Sequence, residues 1–290
     1  MADPHGPIGV FDSGVGGLTV LRTLRRRLPG ERLLYVGDTA RVPYGTKSPE
    51  AVLRYSREIV AFLETRRVKL VVIACNTASA LALPHLVRDG RIPVIGVIEP
   101  GARAAAQASR SGRIGVLGTP ATIRSGAYAR AIRRHRPAAR VYSQACPLFV
   151  PLVEEGWRNG SVVESVARRY LAPLRRARVD TVILGCTHYP ALRGVIQKVM
   201  GSGVTLIDSA EAVADVVRSG IWATGHARQK RALRRARLGR SSRAEGPYAH
   251  TPLASAVEFR VTDDPKGFVR VGRRLFGNGL AAKHVRRLAL

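Results

Sequence analysis

Short apolar runs alternate with stretches of helical periodicity along most of the chain. Residues 70–73 and 181–184 are almost entirely branched and apolar, as in strands that are buried on both faces of a parallel sheet. Between such runs, segments such as 51–63 and 162–174 repeat apolar residues every three or four positions, which is typical of amphipathic helices. The alternation predicts an α/β fold with mainly parallel sheets.

Strands and helices can be assigned in chain order from this pattern. The predicted strands are 8–11, 33–36, 70–74, 93–98, 114–117, 181–185, 204–207 and 258–261. The predicted helices are 18–28, 51–63, 76–83, 125–134, 162–174, 210–221 and 268–276. A strand followed by a helix, many times over, is the order that doubly wound sheets require.

Two parts of the chain look like copies of each other. Residues 8–13 and 114–119 both read as a strand that ends in a small hydroxylated residue. Residues 71–77 and 181–188 form a second matching pair, and each of these contains a cysteine just after the apolar run. The repeat predicts two pseudo-symmetric, doubly wound lobes, each with a mainly parallel sheet.

The repeat assigns one cysteine to each lobe. Cys75 and Cys186 both follow a predicted central strand, and ligands of open α/β sheets bind beyond the carboxyl ends of the strands. We therefore expect the active site in the cleft between the lobes, with both thiols lining it.

The repeat also suggests where the lobes begin and end. We expect a discontinuous first lobe from residues 1–98 and 209–290, with a basic segment at 227–247, and a second lobe from residues 99–208.

Composition excludes several classes of protein. The 290 residues are 46% hydrophobic, which is too apolar for a disordered polycation despite a formal net charge of +28. Three cysteines are too few for a disulfide framework. We expect Cys146, which has no counterpart in the repeat, to be structural. The sequence predicts a cytoplasmic protein without membrane insertion.

The basic residues form two runs that could attract polyanions. No acidic residue lies between Glu99 and Glu154, whereas nine arginines do, and a second Arg-rich run occupies 227–247. Both could bind nucleic acid or another polyanion. Neither contains interleaved aromatic residues, so we expect solvated surfaces, with polyanion binding secondary to the main function.

A glycine-rich turn follows the first predicted strand. Its sequence, DSGVGG at 12–17, offers backbone N–H groups to an anion. The alternative is a tight strand-to-helix turn in which Asp12 or Ser13 is the N-cap. The glycine spacing matches no nucleotide-binding motif.

The two cysteines allow more than one kind of chemistry. Cys75 precedes a predicted helix, whose N-terminus would lower the thiol pKa. Cys186 lies two residues before His188, a proton acceptor or cation at neutral pH. A Cys–His nucleophile or a zinc site is an alternative, but the first leaves Cys75 unexplained and the second lacks zinc spacing.

Five motifs in order resemble one known family, the cofactor-independent glutamate racemases of the aspartate/glutamate racemase superfamily. The resemblance covers residues 8–208 and is highly specific. The motifs are FDSGVGG at 11–17, GDTARVPYG at 37–45, ACNTAS at 74–79, CPLFVPLVEEG at 146–156 and GCTHYP at 185–190.

The resemblance implies roles for individual residues. Cys75 would take the Cα proton of D-glutamate and Cys186 that of L-glutamate, assisted by Asp12 and His188, respectively. Glu154 is implied as a further catalytic residue and Asp38 as a possible support. The implied substrate-binding residues are Asp12, Ser13, Tyr44, Gly45, Asn76, Thr77, Thr187 and His188.

The resemblance also implies the biological setting. The expected product, D-glutamate, enters peptidoglycan synthesis, and family members are often homodimers. Ser79 and His188 favour glutamate over aspartate. We expect no metal and no cofactor, since no lysine lies in a motif suited to a pyridoxal Schiff base. A relative that uses one cysteine for decarboxylation or hydrolysis is the remaining alternative.

Overall fold

The computed structural model describes residues 6–90, 92–220, 257–276, 280 and 282–290. Within these residues it has two parallel sheets with helices packed against them. The basic segment 227–247 lies outside the described residues.

The first sheet has six strands in the spatial order β10–β9–β2–β1–β3–β4, and every neighbouring pair is parallel. Its strands are β1 (Ile8–Asp12), β2 (Leu33–Gly37), β3 (Leu70–Ile73), β4 (Val94–Gly96), β9 (Val257–Val261) and β10 (Val285–Arg287).

The second sheet has four parallel strands in the order β6–β5–β7–β8. They are β5 (Arg113–Gly118), β6 (Arg140–Ala145), β7 (Thr181–Gly185) and β8 (Thr205–Asp208). Strands β5, β6, β7 and β8 follow the same spatial order as β1, β2, β3 and β4, which agrees with the internal repeat of the sequence.

Twelve α-helices are formed within the described residues. They are α1 (Leu18–Arg27), α2 (Pro49–Thr65), α3 (Asn76–Leu81), α4 (Leu83–Asp89), α5 (Ile98–Ala108), α6 (Pro120–Arg124), α7 (Ala127–His135), α8 (Phe149–Glu154), α9 (Ser161–Arg176), α10 (Arg193–Met200), α11 (Ser209–Arg218) and α12 (Pro265–Phe276). Short 3₁₀ helices cover Tyr44–Thr46, Tyr189–Leu192 and Ala282–His284.

Local chemistry explains several helix ends. Ser48 caps α2 by accepting from the Ala51 N–H group, and Pro49 occupies the first helical position. Thr119 and Asp208 cap α6 and α11 in the same way. Gly90 adopts a left-handed conformation at the end of α4, where a side chain would be strained.

The two sheets are joined by a shared apolar core. Helix α1, which follows the first strand, packs against α11, and α5 packs against both α7 and α11. One cluster of buried residues extends from Val10 and Leu21 to Leu184 and Val213. The core holds the carboxyl ends of the central strands of both sheets close together.

Three arginines of the first basic run are held within the fold. Arg130 donates to the Ser125 carbonyl at 2.8 Å, Arg134 pairs with Glu99, and Arg136 donates to the Arg110 carbonyl at 3.1 Å. These three side chains therefore have partners within the protein. In the described part of the chain, no helix combines the length and apolar character needed to cross a bilayer.

Candidate active site

Cys75 and Cys186 lie at corresponding places in the two sheets. Cys75 follows β3 and Cys186 follows β7, the strands next to the first strand of each half. Both side chains are nearly enclosed, with exposed fractions of 5% and 6%. Burial, followed by the negative charges of Asp12 and of Cys186, raises the pKa of Cys75 to about 12.

The thiol of Cys75 caps a helix but is not acidified by it. Its sulfur accepts from the Ala78 N–H group at 3.5 Å and donates to the Ser13 hydroxyl at 3.8 Å. These contacts lower the pKa, but burial outweighs them. The sequence-based expectation of a lowered thiol pKa at Cys75 is wrong, and this cysteine is a neutral thiol at neutral pH. Helix α3 also ends at Leu81, before the predicted Leu83.

Cys186 has a cationic neighbour. The Nδ1 atom of His188 lies 3.8 Å from the Cys186 sulfur, and the Nε2 atom lies 3.0 Å from Glu154 Oε1. Burial lowers the pKa of His188, but its bonds to Cys186 and Glu154 outweigh this and raise the pKa to about 10. His188 is therefore an imidazolium at neutral pH, and it lies between Cys186 and Glu154.

The raised pKa of His188 predicts how stability changes with pH. The folded value of about 10 lies above the ordinary value of 6.5, so protonation stabilises the fold fully below pH 6.5. This contribution is lost between about pH 6.5 and 10. The free energy of unfolding, measured in urea at several pH values, should fall more steeply over this range in the wild type than in His188→Asn. Equal slopes would contradict the assignment.

Asp12 connects the two halves of the site. Its carboxylate accepts from the Gly14 N–H group at 3.0 Å and from the Thr187 hydroxyl at 3.4 Å. Burial raises its pKa, while the charge of His188 opposes the shift. Asp12 has no direct hydrogen bond to Cys75 among these contacts, so its effect on that thiol is electrostatic.

The glycine-rich turn is used for close packing. A Cβ atom on Gly16 would lie 2.6 Å from the imidazole of His188, and one on Gly17 would lie 2.8 Å from the Tyr35 hydroxyl. Helix α1 has Gly17 as its N-cap without a side-chain cap, so the alternative in which Asp12 or Ser13 is the N-cap does not hold. Glycine lets this turn approach the segment after β7.

Tyr44 is held by Asp38. The Tyr44 hydroxyl donates to the Asp38 carboxylate, which also accepts from Thr262 at 2.8 Å and from Arg41 at 2.7 Å. Asp38 is fully buried. Asp38 therefore holds the Tyr44 side chain in position through this hydrogen bond.

A cluster of hydroxyl groups joins the two halves beside Gly45. Thr77 lies 2.9 Å from Thr119 and 3.0 Å from Thr122. A Cβ atom on Gly45 would lie 2.7 Å from the Thr119 side chain. The sequence singled out Thr119 only as the repeat partner of Ser13, and nothing pointed to Thr122.

Asn76 also contacts residues that are distant in the sequence. Its amide nitrogen donates to Tyr128 at 2.8 Å and lies 3.5 Å from Ser209. Sequence reasoning missed both partners, which are far apart in the chain and carry no motif.

The third cysteine, Cys146, makes hydrogen bonds that involve backbone carbonyl groups. Its side chain is fully buried, and the thiol donates to the Gln144 carbonyl at 3.6 Å. Its carbonyl accepts from the Tyr189 hydroxyl at 2.9 Å. Among the residues that the structure describes, no three His, Cys, Asp or Glu side chains gather as a metal site would require.

The site holds two candidate proton-transfer groups, one from each half of the chain. One sulfur comes from each half, a cationic histidine lies beside Cys186, and a neutral thiol lies at Cys75. A thiol can act as an acid or, once deprotonated, as a base, so this pair of side chains is suited to proton transfer.

Known proteins are similar to this chain in sequence and in fold. Residues 8–217 match the family model described as Asp/Glu/Hydantoin racemase. A glutamate racemase of Geobacter metallireducens is 52% identical over 277 residues, covering 96% of this chain and 95% of the relative.

Two solved structures have the same fold. Glutamate racemase RacE1 of Bacillus anthracis has a TM-score of 0.82 at 36% identity and covers 99% of this chain and 98% of its own. Glutamate racemase of Francisella tularensis in complex with D-glutamate has a TM-score of 0.78 at 36% identity, with 98% of both chains covered.

Proposed function

The chain belongs to the Asp/Glu/Hydantoin racemase family and, within it, to the glutamate racemases, and from this membership we propose that Cys75 and Cys186 are its acid/base pair. The enzyme is an isomerase that interconverts L- and D-glutamate and supplies D-glutamate for peptidoglycan synthesis. The observation that carries the proposal is the position of the two thiols, which follow equivalent strands of the two sheets, while the contact of Asp12 with Thr187 joins the turn after β1 to the segment that holds Cys186.

The stereochemistry of the reaction explains the need for two thiols. Racemisation removes the Cα proton from one face and adds a proton to the other, so two groups on opposite sides are required. In the L-to-D direction, Cys186 takes the Cα proton and Cys75 delivers its own. In the reverse direction the roles are exchanged, and Cys75 takes the proton of D-glutamate.

The charges around the thiols favour this assignment. The imidazolium of His188 lies beside Cys186 and is held by Glu154, whereas burial and Asp12 keep Cys75 protonated. We propose that Cys186, which lies beside this cation, is the group that takes the proton of L-glutamate. To take the proton of D-glutamate, Cys75 must first lose its own proton. Asp12 is the residue proposed to assist Cys75, and burial raises the pKa of this carboxyl group.

Proton transfer alone does not overcome the weak acidity of the Cα proton. A positioned acid or base contributes about 10²–10⁴-fold. Exclusion of water and N–H groups aimed at the developing charge supply the remainder. We propose the N–H groups that follow Cys75 and Cys186 for this purpose.

The substrate is held by residues from both halves. The proposed binding residues are Asp12, Ser13, Tyr44, Gly45, Asn76, Thr77, Thr187 and His188. Their support is the resemblance of their motifs, together with the contacts that join Asp12 to Thr187 and Thr77 to Thr119. We propose that no cofactor or metal is needed, because the two thiols can perform both proton transfers.

We propose that the enzyme works in the cytoplasm as a homodimer of two-lobed subunits. Reactive thiols require a reducing compartment, and dimers are common in the family. One sheet contains β1–β4, β9 and β10, and the other contains β5–β8. This division supports one lobe built from 1–98 with 209–290 and another from 99–208. Polyanion binding through the Arg-rich segments stays a prediction of a secondary role.

Circular dichroism at one wavelength tests the reaction class. Pure L-glutamate incubated with the enzyme, without added cofactor, should lose its signal completely as the two enantiomers reach equal concentrations. L-Aspartate, run in parallel, should keep its signal over the same time. An unchanged glutamate signal would contradict the proposed function.

A further inference from the structure

A chain of buried hydrogen bonds connects Asn76 to the strand that precedes Cys186. The Asn76 amide lies 2.8 Å from the Tyr128 hydroxyl, which lies 3.0 Å from the Ser209 hydroxyl. Ser209 in turn donates to the Leu184 carbonyl at 3.5 Å. Asn76, Tyr128 and Ser209 are all buried, so each of these bonds forms away from bulk water.

The Leu184 carbonyl, at the end of this chain of hydrogen bonds, determines which group donates in each bond. A backbone carbonyl can only accept, so Ser209 donates to Leu184 and accepts from Tyr128. The hydroxyl of Tyr128 then has only its oxygen left for Asn76 and must accept an amide N–H. This order of bonds determines which way round the Asn76 amide is held.

The amide oxygen of Asn76 is left available. The Asn76 Oδ1 atom is buried and has no hydrogen-bond partner within the described structure. Leaving a buried acceptor without a partner is unfavourable, so such an atom at a binding site points to a ligand that donates to it. The α-ammonium group of an amino acid is a donor of this kind.

We propose that Tyr128 and Ser209 are positioning residues that hold the Asn76 amide oxygen toward the substrate ammonium group. The proposal rests on the proposed function, because it takes Asn76 as a substrate contact. Asn76 directly follows Cys75, so fixing its amide also fixes the ammonium group, and with it Cα, relative to the thiol.

The ring of Tyr128 is itself held by small neighbours. A Cβ atom on Gly185 would lie 3.0 Å from the Tyr128 ring, and one on Gly101 would lie 3.6 Å from it. Glycine at positions 101 and 185 therefore leaves room for the Tyr128 ring. Burial raises the pKa of Tyr128, so the hydroxyl keeps the proton that it donates to Ser209.

A double-mutant cycle on kcat/KM tests the proposal. Tyr128→Phe keeps the ring and removes the hydroxyl, and it should lower kcat/KM for glutamate about 10-fold, mainly through KM. In an Asn76→Ala background the same change should cost no more than about 2-fold, because the group it positions is absent. Tyr170→Phe, which removes a hydroxyl that accepts from the Leu148 N–H group, is the matched control and should leave kcat/KM unchanged.

Two results would overturn the positioning role. One is an equal loss in both backgrounds, and the other is wild-type kcat/KM in Tyr128→Phe or in Asn76→Ala. If Tyr128→Phe does not fold, Ser209→Ala enters the same cycle with the same expectation of non-additivity. Racemisation by the wild type is measured separately, so failure of this inference and failure of the proposed function are distinguishable.

Discussion

Replacing either Cys75 or Cys186 with alanine is expected to lower kcat for racemisation by about 10²–10⁴-fold or more. Each variant lacks the proposed acid/base group on one face of the substrate carbon. In one direction the Cα proton then cannot be removed, and in the other the proton that has left cannot be replaced on the opposite face. Both side chains are small and nearly enclosed, and alanine should preserve the fold. The loss would be measured in both directions by circular dichroism, starting from L- and from D-glutamate.

Cys146→Ala is the matched control for these variants. Cys146 is also buried and also follows a strand, but its thiol donates to a backbone carbonyl. We expect this variant to keep kcat/KM near the wild-type value. Full activity in Cys75→Ala or Cys186→Ala would contradict the acid/base assignment, and so would an equal loss in all three variants.

Gly16→Ala is expected to lower kcat at least about 10-fold and to destabilise the fold by about 1–3 kcal/mol. The new methyl group would contact Thr187 and lie 2.6 Å from the imidazole of His188. Both neighbours are buried, so they can yield only by moving His188 relative to Cys186 and Glu154. Steady-state kinetics and urea unfolding would measure the two effects.

Gly194→Ala provides a comparison for Gly16→Ala. Gly194 lies in α10, and a Cβ atom there would have no neighbour within 4 Å. Alanine favours helix over glycine by up to about 1 kcal/mol, so this variant should be as active as the wild type and equally or more stable. Wild-type kcat in Gly16→Ala would show that the glycine turn does not set the position of His188.

The fold class was predictable because it depends on local patterns and on a repeat. Buried parallel strands produce apolar runs such as Leu70–Ile73, and the two halves of the chain keep the same strand order. The predicted α/β fold and the predicted family are both confirmed. Strand β6 was missed because Arg140–Ala145 is partly exposed and contains polar residues.

The parts of the site that escaped prediction depend on contacts between distant residues. The sequence left open whether the glycine turn binds an anion or only makes a tight turn, and it gave no sign that His188 packs against Gly16. The pKa of Cys75 depends on burial, which outweighs the helix N-terminus visible in the sequence. The contacts of Asn76 with Tyr128 and Ser209 leave no local signal at all.

Solvent deuterium labelling tests most directly whether two groups act on opposite faces of the same carbon. L-Glutamate would be converted in ²H₂O, the reaction stopped at low conversion, and each enantiomer analysed for deuterium at Cα. Since Cys75 delivers a proton that came from solvent while Cys186 removes the original one, the D-glutamate formed should carry deuterium and the remaining L-glutamate should not. D-Glutamate that retains the original hydrogen, or L-glutamate that gains deuterium as fast as product forms, would contradict the two-thiol mechanism.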